Sequence, residues 1–187
     1  MTSNISKFTD YQTAHTCLAC AKQRAENLSL FGVESVLELC VGPSLQDLEQ
    51  CYSDFGITVA GNDIDPRWQN FYPRGKWLVG DAVVVGQKHG STFDAVVVAP
   101  PLSKGCSGRR EDALSVEEVT PSFYSFLGIP AKKVVTYVLP GKTLSLKRDR
   151  SELFKFLSKI DSIGEVHVIP LKNKVTKYVD VYVVKAT

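Results

Sequence analysis

Val36-Leu37-Glu38-Leu39-Cys40-Val41-Gly42-Pro43-Ser44 is an apolar run that includes an acid, turns through small residues and ends at a polar helix start. A second apolar run, Ile57-Thr58-Val59-Ala60, leads into the acidic segment Gly61-Asn62-Asp63-Ile64-Asp65-Pro66. Together they predict a strand, a tight turn onto a helix N-terminus and a second strand that ends in a carboxylate. This layout is typical of a site for a nucleotide-type cofactor, because helix N-termini offer free N–H groups and a carboxylate can accept both ribose hydroxyls.

Hydrophobic periodicity predicts seven strands with helices between most of them. The first helix is predicted over residues 11–30, where apolar residues recur at helical spacing. Strands are predicted at residues 36–40, 57–62, 76–79, 93–98, 134–139, 165–169 and 178–184, and further helices at 44–55, 65–71, 116–127 and 147–160. Alternating strands and helices predict a parallel sheet covered on both faces. Residues 171–177 are too few for a crossover helix, so the last two strands are predicted to form an antiparallel hairpin.

The expected fold class is therefore α/β, a Rossmann-like doubly wound, mostly parallel seven-stranded sheet with a C-terminal antiparallel β-hairpin. The 187 residues, 44% of them hydrophobic and 22% charged, fit a single domain over residues 1–187, with residues 1–30 as an N-terminal helical segment packing on the core. The formal net charge of +2 is too small to require a nucleic-acid partner. No apolar run nears the roughly 20 residues of a membrane span. Since no such run is present, no membrane partner is expected, and five cysteines without an export signal indicate a cytoplasmic protein with reduced thiols.

Four motifs, taken in order, resemble those of the class I S-adenosylmethionine-dependent methyltransferases, and in detail the amino-methyltransferases that act on adenine N6. The stretch from Val36 to Ser44 resembles V-L-E-P-C-A-G-x-G, and Gly61-Asn62-Asp63-Ile64-Asp65-Pro66 resembles the second motif. Gly80-Asp81-Ala82 resembles the third motif, and the stretch from Phe93 to Leu102 resembles F-D-x-I-x-x-N-P-P-Y. The resemblance covers nearly the whole chain but not residues 103–112. The chain departs from the pattern at Ser44, Ala99 and Leu102.

The resemblance implies S-adenosylmethionine as cofactor and assigns residues to it. Gly42 and its neighbour Cys40 would approach the methionine part, with Glu38 close by, and Asp63 would hold the ribose. Adenine would be flanked by Ile64, Asp81 and Ala82. By the same resemblance the catalytic turn is Ala99, Pro100, Pro101 and Leu102. For Asp81 an alternative stays open, which is that it N-caps the next helix.

A basic loop follows the catalytic turn and is a candidate substrate clamp. Lys104, Arg109 and Arg110 lie in this Gly- and Ser-rich segment, where they could hold an anionic substrate or remain solvated. No metal site is expected, because Cys17-x-x-Cys20 falls in a predicted helix and no second Cys or His pair follows at ligand spacing.

The leading functional hypothesis is methyl transfer to an amino nitrogen of a nucleic-acid base. DNA or RNA is the expected partner, with a partner subunit or a homodimer supplying further binding surface. Since Ala99 has no acceptor in its side chain and Leu102 stacks poorly on a base, a catalytically degenerate binding or regulatory subunit stays open. A small-molecule methyltransferase also stays open. A nicotinamide-dependent oxidoreductase is disfavoured, since the turn has one of the three glycines of G-x-G-x-x-G.

Overall fold

A seven-stranded sheet with helices on both faces organises the chain. The computed structural model describes residues 18–42, 45–71, 76–99, 128–140, 163–170 and 178–186, with the single residues 125 and 155. In these ranges the helices are α1 (Leu18–Leu30), α2 (Leu45–Ser53) and α3 (Ala82–His89), with 3-10 turns at Pro66–Phe71 and Gly90–Thr92. The strands are β1 (Ser35–Leu39), β2 (Thr58–Asp63), β3 (Lys76–Val79), β4 (Ala95–Val98), β5 (Val134–Pro140), β6 (Ile163–Pro170) and β7 (Tyr178–Lys185).

The strand order is β3-β2-β1-β4-β5-β7-β6. The first five strands in that order are parallel, whereas β7 pairs antiparallel with both β5 and β6. The predicted fold class is thereby confirmed, including the C-terminal hairpin. The order reverses at β1, whose neighbours are β2 and β4, so its carboxyl end is the switch point at which open α/β sheets bind ligands.

Each face of the sheet buries its own apolar cluster, which explains the continuous apolar strands. On one face α1 and α2 bring Ala21, Leu28 and Leu45 against alternate residues of the strands, such as Val36 and Val97. On the other face α3 brings Val85 against Leu37, Leu39 and Val96. Because successive strand residues point to opposite faces, a strand covered on both sides is apolar at nearly every position.

The structure corrects two predicted elements and adds one helix that was not predicted. Residues 65–71 form a 3-10 turn at Pro66–Phe71 rather than an α-helix. The strand predicted from residue 93 begins at Ala95, because Asp94 is tied to the start of β1 through Glu34 N–H and the Ser35 hydroxyl. Helix α3 is absent from the predicted helices, since its three valines disfavour helix and its start depends on the cap that Asp81 provides.

Several other predictions lie outside the described residues. They are the first residues of the predicted 11–30 helix, up to residue 17, and nearly all of the predicted helices at 116–127 and 147–160. No helix within the described ranges is long and apolar enough to span a membrane. The last strand of the sheet, β6, pairs only with β7 among the described strands, and a register irregularity falls between Ile163 and Glu165.

Candidate functional site

The turn after β1 is built from left-handed backbone. Cys40 has a φ of 60° and Gly42 a φ of 53°, with Val41 between them. The Val41 N–H donates to the Asn62 carbonyl at 2.9 Å, and the Gly42 N–H donates to Asp63 Oδ2 at 2.9 Å. A left-handed conformation is uncommon for a residue with a Cβ, so Cys40 is held there by its surroundings. The turn is thus fixed to the end of β2.

Gly61 lets this turn lie against the sheet. A Cβ at Gly61 would stand 2.9 Å from Leu45 Cδ2 and 3.0 Å from both Trp77 Cζ3 and Val41 Cγ1. Such distances leave no room for a methyl group unless the side chains of Leu45, Trp77 and Val41 shift. Gly61 lies within the second motif, but its role depends on contacts across β2 that the sequence alone does not show.

Asp63 joins the ends of β1 and β2. Its carboxylate is 3% exposed and accepts from the Gly42 N–H through Oδ2 and from the Asp65 N–H through Oδ1 at 3.0 Å. The sequence placed Asp63 in the site, and the structure puts it at the switch point beside the turn.

Asn62 fixes the neighbouring turn after β3. Its Nδ2 donates to the carbonyls of Leu78 and Gly80, both at 3.0 Å, while the Gly80 N–H donates to the Asp63 carbonyl at 3.1 Å. Its Oδ1 is buried and has no hydrogen-bond partner among the described residues. Sequence reasoning missed Asn62. The signal in the sequence was an amide side chain within a predicted buried strand, directly before Asp63.

Asp81, Ile64 and Ala82 lie around the ends of β2 and β3. Oδ1 of Asp81 accepts from the N–H groups of Val83 and Val84, both at 3.0 Å, so Asp81 N-caps α3 as the alternative reading holds. Ile64 is 55% exposed. An apolar side chain open to solvent next to a carboxylate suits a flat heteroaromatic ring with polar edges.

Glu38 is held in a buried polar cluster between β1, α1 and α2. Its side chain is 3% exposed and accepts a short hydrogen bond from the Tyr52 hydroxyl. Oε1 lies 3.8 Å from Nη1 of Arg24, which itself donates to both oxygens of Asp180 at 2.8 and 3.1 Å. Burial raises the pKa of Glu38, although Arg24 and Tyr52 oppose that rise. Sequence reasoning placed Glu38 near the cofactor, and the structure surrounds it with Arg24, Tyr52 and Asp180.

The predicted catalytic and substrate residues are described only in part. Ala99 follows β4 directly and is partly exposed at the same carboxyl edge as the turn after β1. Pro100, Pro101, Leu102, Lys104, Arg109 and Arg110 lie outside the described residues. Within the described ranges, no group of three or more His, Cys, Asp or Glu side chains is arranged to hold a metal ion.

Comparisons with known proteins identify the architecture. No protein-family model matches the chain. No curated protein matches it by sequence. An O-methyltransferase from Bacillus cereus in complex with SAH aligns with a TM-score of 0.58 and 11% identity over 92% of this chain and 84% of its own. An S-adenosylmethionine-dependent methyltransferase from Archaeoglobus fulgidus aligns with a TM-score of 0.57 and 12% identity, over 91% of this chain and 95% of its own.

A third solved structure is the catalytic domain of hMettl16 in complex with the MAT2A 3'UTR hairpin 6. It aligns with a TM-score of 0.59 and 12% identity, over 92% of this chain and 72% of its own. At such identities the likeness concerns the backbone rather than particular side chains. The chain has the Rossmann-like fold of the class I S-adenosylmethionine-dependent methyltransferases.

Proposed function

We propose that the protein binds S-adenosylmethionine at the carboxyl ends of β1 and β2 and transfers its methyl group to an amino nitrogen of a nucleic-acid base. The observation that carries the cofactor part is the position of Asp63. Its buried carboxylate ends β2 beside the left-handed turn at Cys40–Gly42 and already holds that turn through the Gly42 N–H. A carboxylate at this switch point is suited to accept ribose hydroxyls.

The surrounding residues fit the remaining parts of such a cofactor. Ile64 and Ala82 would contact the two faces of the adenine ring, and Asp81 would accept from its exocyclic amine. The second carboxylate oxygen of Asp81 is available for this, because both capping bonds use Oδ1. The turn at Cys40–Gly42 would receive the methionine part, whose amino group can pair with backbone carbonyl groups.

When bound, the cofactor supplies an electrophilic methyl group on a sulfonium. The protein then has to orient the acceptor and exclude water, because an in-line displacement by an amine needs little acid–base assistance. Ala99, at the end of β4, stands where the resemblance has a side chain that accepts from the target amine. With Ala99 in that place, the Pro100 carbonyl would be the acceptor that turns the nitrogen lone pair towards the methyl group.

The nucleic-acid part of the proposal rests on the motif resemblance and on the basic residues Lys104, Arg109 and Arg110, which would contact phosphate groups. One protein of similar fold is described in complex with a 3'UTR hairpin. Others of the same fold are described as O-methyltransferases, so the fold alone does not select the acceptor.

A second candidate function is a binding or regulatory subunit that holds the cofactor without transferring the methyl group. The observation that favours it is Ala99, because a methyl side chain cannot accept a hydrogen bond from the target amine. Replacing Ala99 by Asn restores the acceptor. If Ala99→Asn gains methyl transfer with unchanged cofactor affinity, the result would support a binding or regulatory role for the wild-type chain.

The decisive experiment is calorimetric titration with S-adenosylmethionine and S-adenosylhomocysteine. The test variant is Asp63→Asn, and Asp54→Asn is the matched control, because Asp54 is an exposed residue after α2. We expect binding by the wild type and by the control, and a loss of at least about tenfold with Asp63→Asn, which corresponds to about 1.4 kcal/mol. Absence of binding by the wild type would refute the cofactor proposal.

The acceptor is tested separately with radiolabelled S-adenosylmethionine and separate pools of DNA, RNA and small metabolites. Label transferred to DNA or RNA and recovered as a methylated exocyclic amine would support the proposed acceptor. Label recovered only in small molecules would refute it and leave the cofactor proposal intact. Cofactor binding without transfer to any pool would favour the regulatory subunit.

A further inference from the structure

A buried cluster with two acids and one base lies next to the turn at Cys40–Gly42. Both oxygens of Asp180 accept from the Arg24 guanidinium, whereas Glu38 Oε1 lies 3.8 Å from Nη1, beyond hydrogen-bond distance. All three side chains are at most 3% exposed. One guanidinium balances one carboxylate, so a second ionised carboxylate in this cluster would be a buried charge without compensation.

Geometry therefore commits the Arg24 guanidinium to Asp180 and leaves Glu38 as the acid of the cluster that can hold a proton. Asp180 has the two-pronged pairing with Arg24 that stabilises a carboxylate most strongly, and it also accepts from the Tyr182 hydroxyl at 3.1 Å. Glu38 has the Tyr52 hydroxyl as its hydrogen-bond donor.

The groups that face Glu38 come from three elements. They are Arg24 from α1, Tyr52 from α2, and Asp180 with the more distant Tyr182 from β7. The residues paired with Glu38 on the neighbouring strands, Gly61 and Val97, carry no charge. Burial raises the pKa of Glu38, the Asp180 carboxylate raises it further, and Arg24 and Tyr52 lower it.

We propose that Glu38 is a proton-binding site next to the turn at Cys40–Gly42. Binding of a cationic cofactor at that turn is linked to release of the Glu38 proton to the solvent. The inference rests on the proposed function. Glu38 points to the same face of the sheet as Val36, and Val41 of the turn packs in the same cluster as Val36 and Tyr52, so Glu38 and the turn lie on one side of the sheet. S-adenosylmethionine carries a sulfonium and an ammonium against one carboxylate, and a nearby net positive charge favours the ionised form of Glu38.

Linkage fixes the sign of the effect. If the bound cofactor favours ionised Glu38, the affinity of the protein for the cofactor rises with pH across the range in which Glu38 loses its proton. For one titrating group this affinity rises by no more than about tenfold per pH unit. S-adenosylhomocysteine has no sulfonium charge, so its affinity should rise less steeply. The preference for S-adenosylmethionine over S-adenosylhomocysteine is therefore expected to increase with pH.

The experiment is calorimetric titration of both ligands in two buffers of different ionisation enthalpy, repeated across pH values. We expect the wild type to release a fraction of a proton on binding S-adenosylmethionine, and Glu38→Gln to release less than the wild type over the pH range in which Glu38 titrates. Glu34→Gln is the matched control, because Glu34 is exposed just before β1, and it should behave as the wild type does. Equal heats in the two buffers for the wild type, or undiminished release by Glu38→Gln, would overturn the linkage.

Tyr52→Phe is a second test variant, for which the direction of the change in the pKa of Glu38 can be stated in advance. It removes the hydroxyl that donates to Glu38, so it should raise the pKa of Glu38 and move the proton release to higher pH. If Tyr52→Phe released protons over the same pH range as the wild type, the assignment of the proton to Glu38 would be contradicted.

A readout without cofactor separates this inference from the proposed function. Because the folded-state pKa of Glu38 is raised from 4.5, its contribution to stability is complete below that pH and is lost as the pH rises through the folded-state pKa. The free energy of unfolding should therefore fall less with rising pH in Glu38→Gln than in the wild type. Identical pH profiles of stability for the wild type and Glu38→Gln would refute the proton site itself. If the two profiles differ as expected but the wild type binds no S-adenosylmethionine, only the proposed function and the linkage are refuted.

Discussion

Asp180→Asn is the substitution that tests the buried cluster most directly. It removes the negative charge that balances Arg24 and leaves an amide that can accept only through its single oxygen. The two Arg24–Asp180 hydrogen bonds involve charged groups, and such bonds each contribute about 1.5–3 kcal/mol. Removing one partner of a buried ion pair typically costs about 3–5 kcal/mol, because the remaining charge is uncompensated.

Glu38 limits this cost. Its Oε1 lies 3.8 Å from Arg24, and loss of Asp180 removes one of the groups that raise its pKa. Glu38 can therefore ionise in the variant and partly balance Arg24, so we expect a loss near the lower end of the range, about 3 kcal/mol. Glu38→Gln alone should cost less than about 1 kcal/mol, because a neutral amide oxygen still accepts from Tyr52.

The assay is urea unfolding followed through the fluorescence of the buried Trp68 and Trp77. In the double variant of Glu38→Gln with Asp180→Asn, Arg24 faces no carboxylate, so the combined loss should exceed the sum of the single losses. A loss below about 1 kcal/mol for Asp180→Asn, or strict additivity, would refute the reasoning that one guanidinium is shared by two acids.

Substitutions at three further positions probe the site and its support. Gly61→Ala should lower stability by about 1–3 kcal/mol and weaken S-adenosylmethionine binding, since its Cβ would push on the side chains of Val41 in the turn and Leu45 at the start of α2. Unfolding and calorimetry measure the two effects, and unchanged binding would show that the turn tolerates the shift. Gly86→Ala places a Cβ 2.4 Å from Ile129 Cδ1 and should cost about 1–3 kcal/mol while leaving cofactor affinity in the folded protein unchanged. Asp81→Ala should cost about 1 kcal/mol through loss of the N-cap, whereas Asp81→Asn keeps the cap. A drop in cofactor affinity with Asp81→Asn would identify a direct contact, and equal affinity would reduce Asp81 to a cap.

The sheet was predictable because its signals are local. Each buried strand is a short apolar run, and the chain between runs is long enough for a crossover everywhere except between β6 and β7. Helix α3 was missed because Val83, Val84 and Val85 have strand propensity, and the Asp81 cap and the packing of Val85 on the sheet override it.

The site was predictable in part for the same reason. Asp63 falls at a strand end, which sequence alone reveals, and the structure places it against Gly42. The surroundings of Glu38 could not be predicted, because Arg24 and Asp180 are separated by 156 residues and meet only when β7 inserts beside β5. Periodicity reads Arg24 as one polar residue within a helix and gives no sign of the acids that it faces.

The outer strand β6 limits how copies of this protein can associate. A strand from another molecule that paired with it would meet the register irregularity at Ile163 and Glu165, which breaks the even spacing of hydrogen-bonding groups. It would also bury the largely exposed Glu165 side chain and would reach Pro170, which has no N–H to donate. A continuous sheet running through two copies is therefore disfavoured along this edge, and the protein gains resistance to strand-by-strand aggregation there.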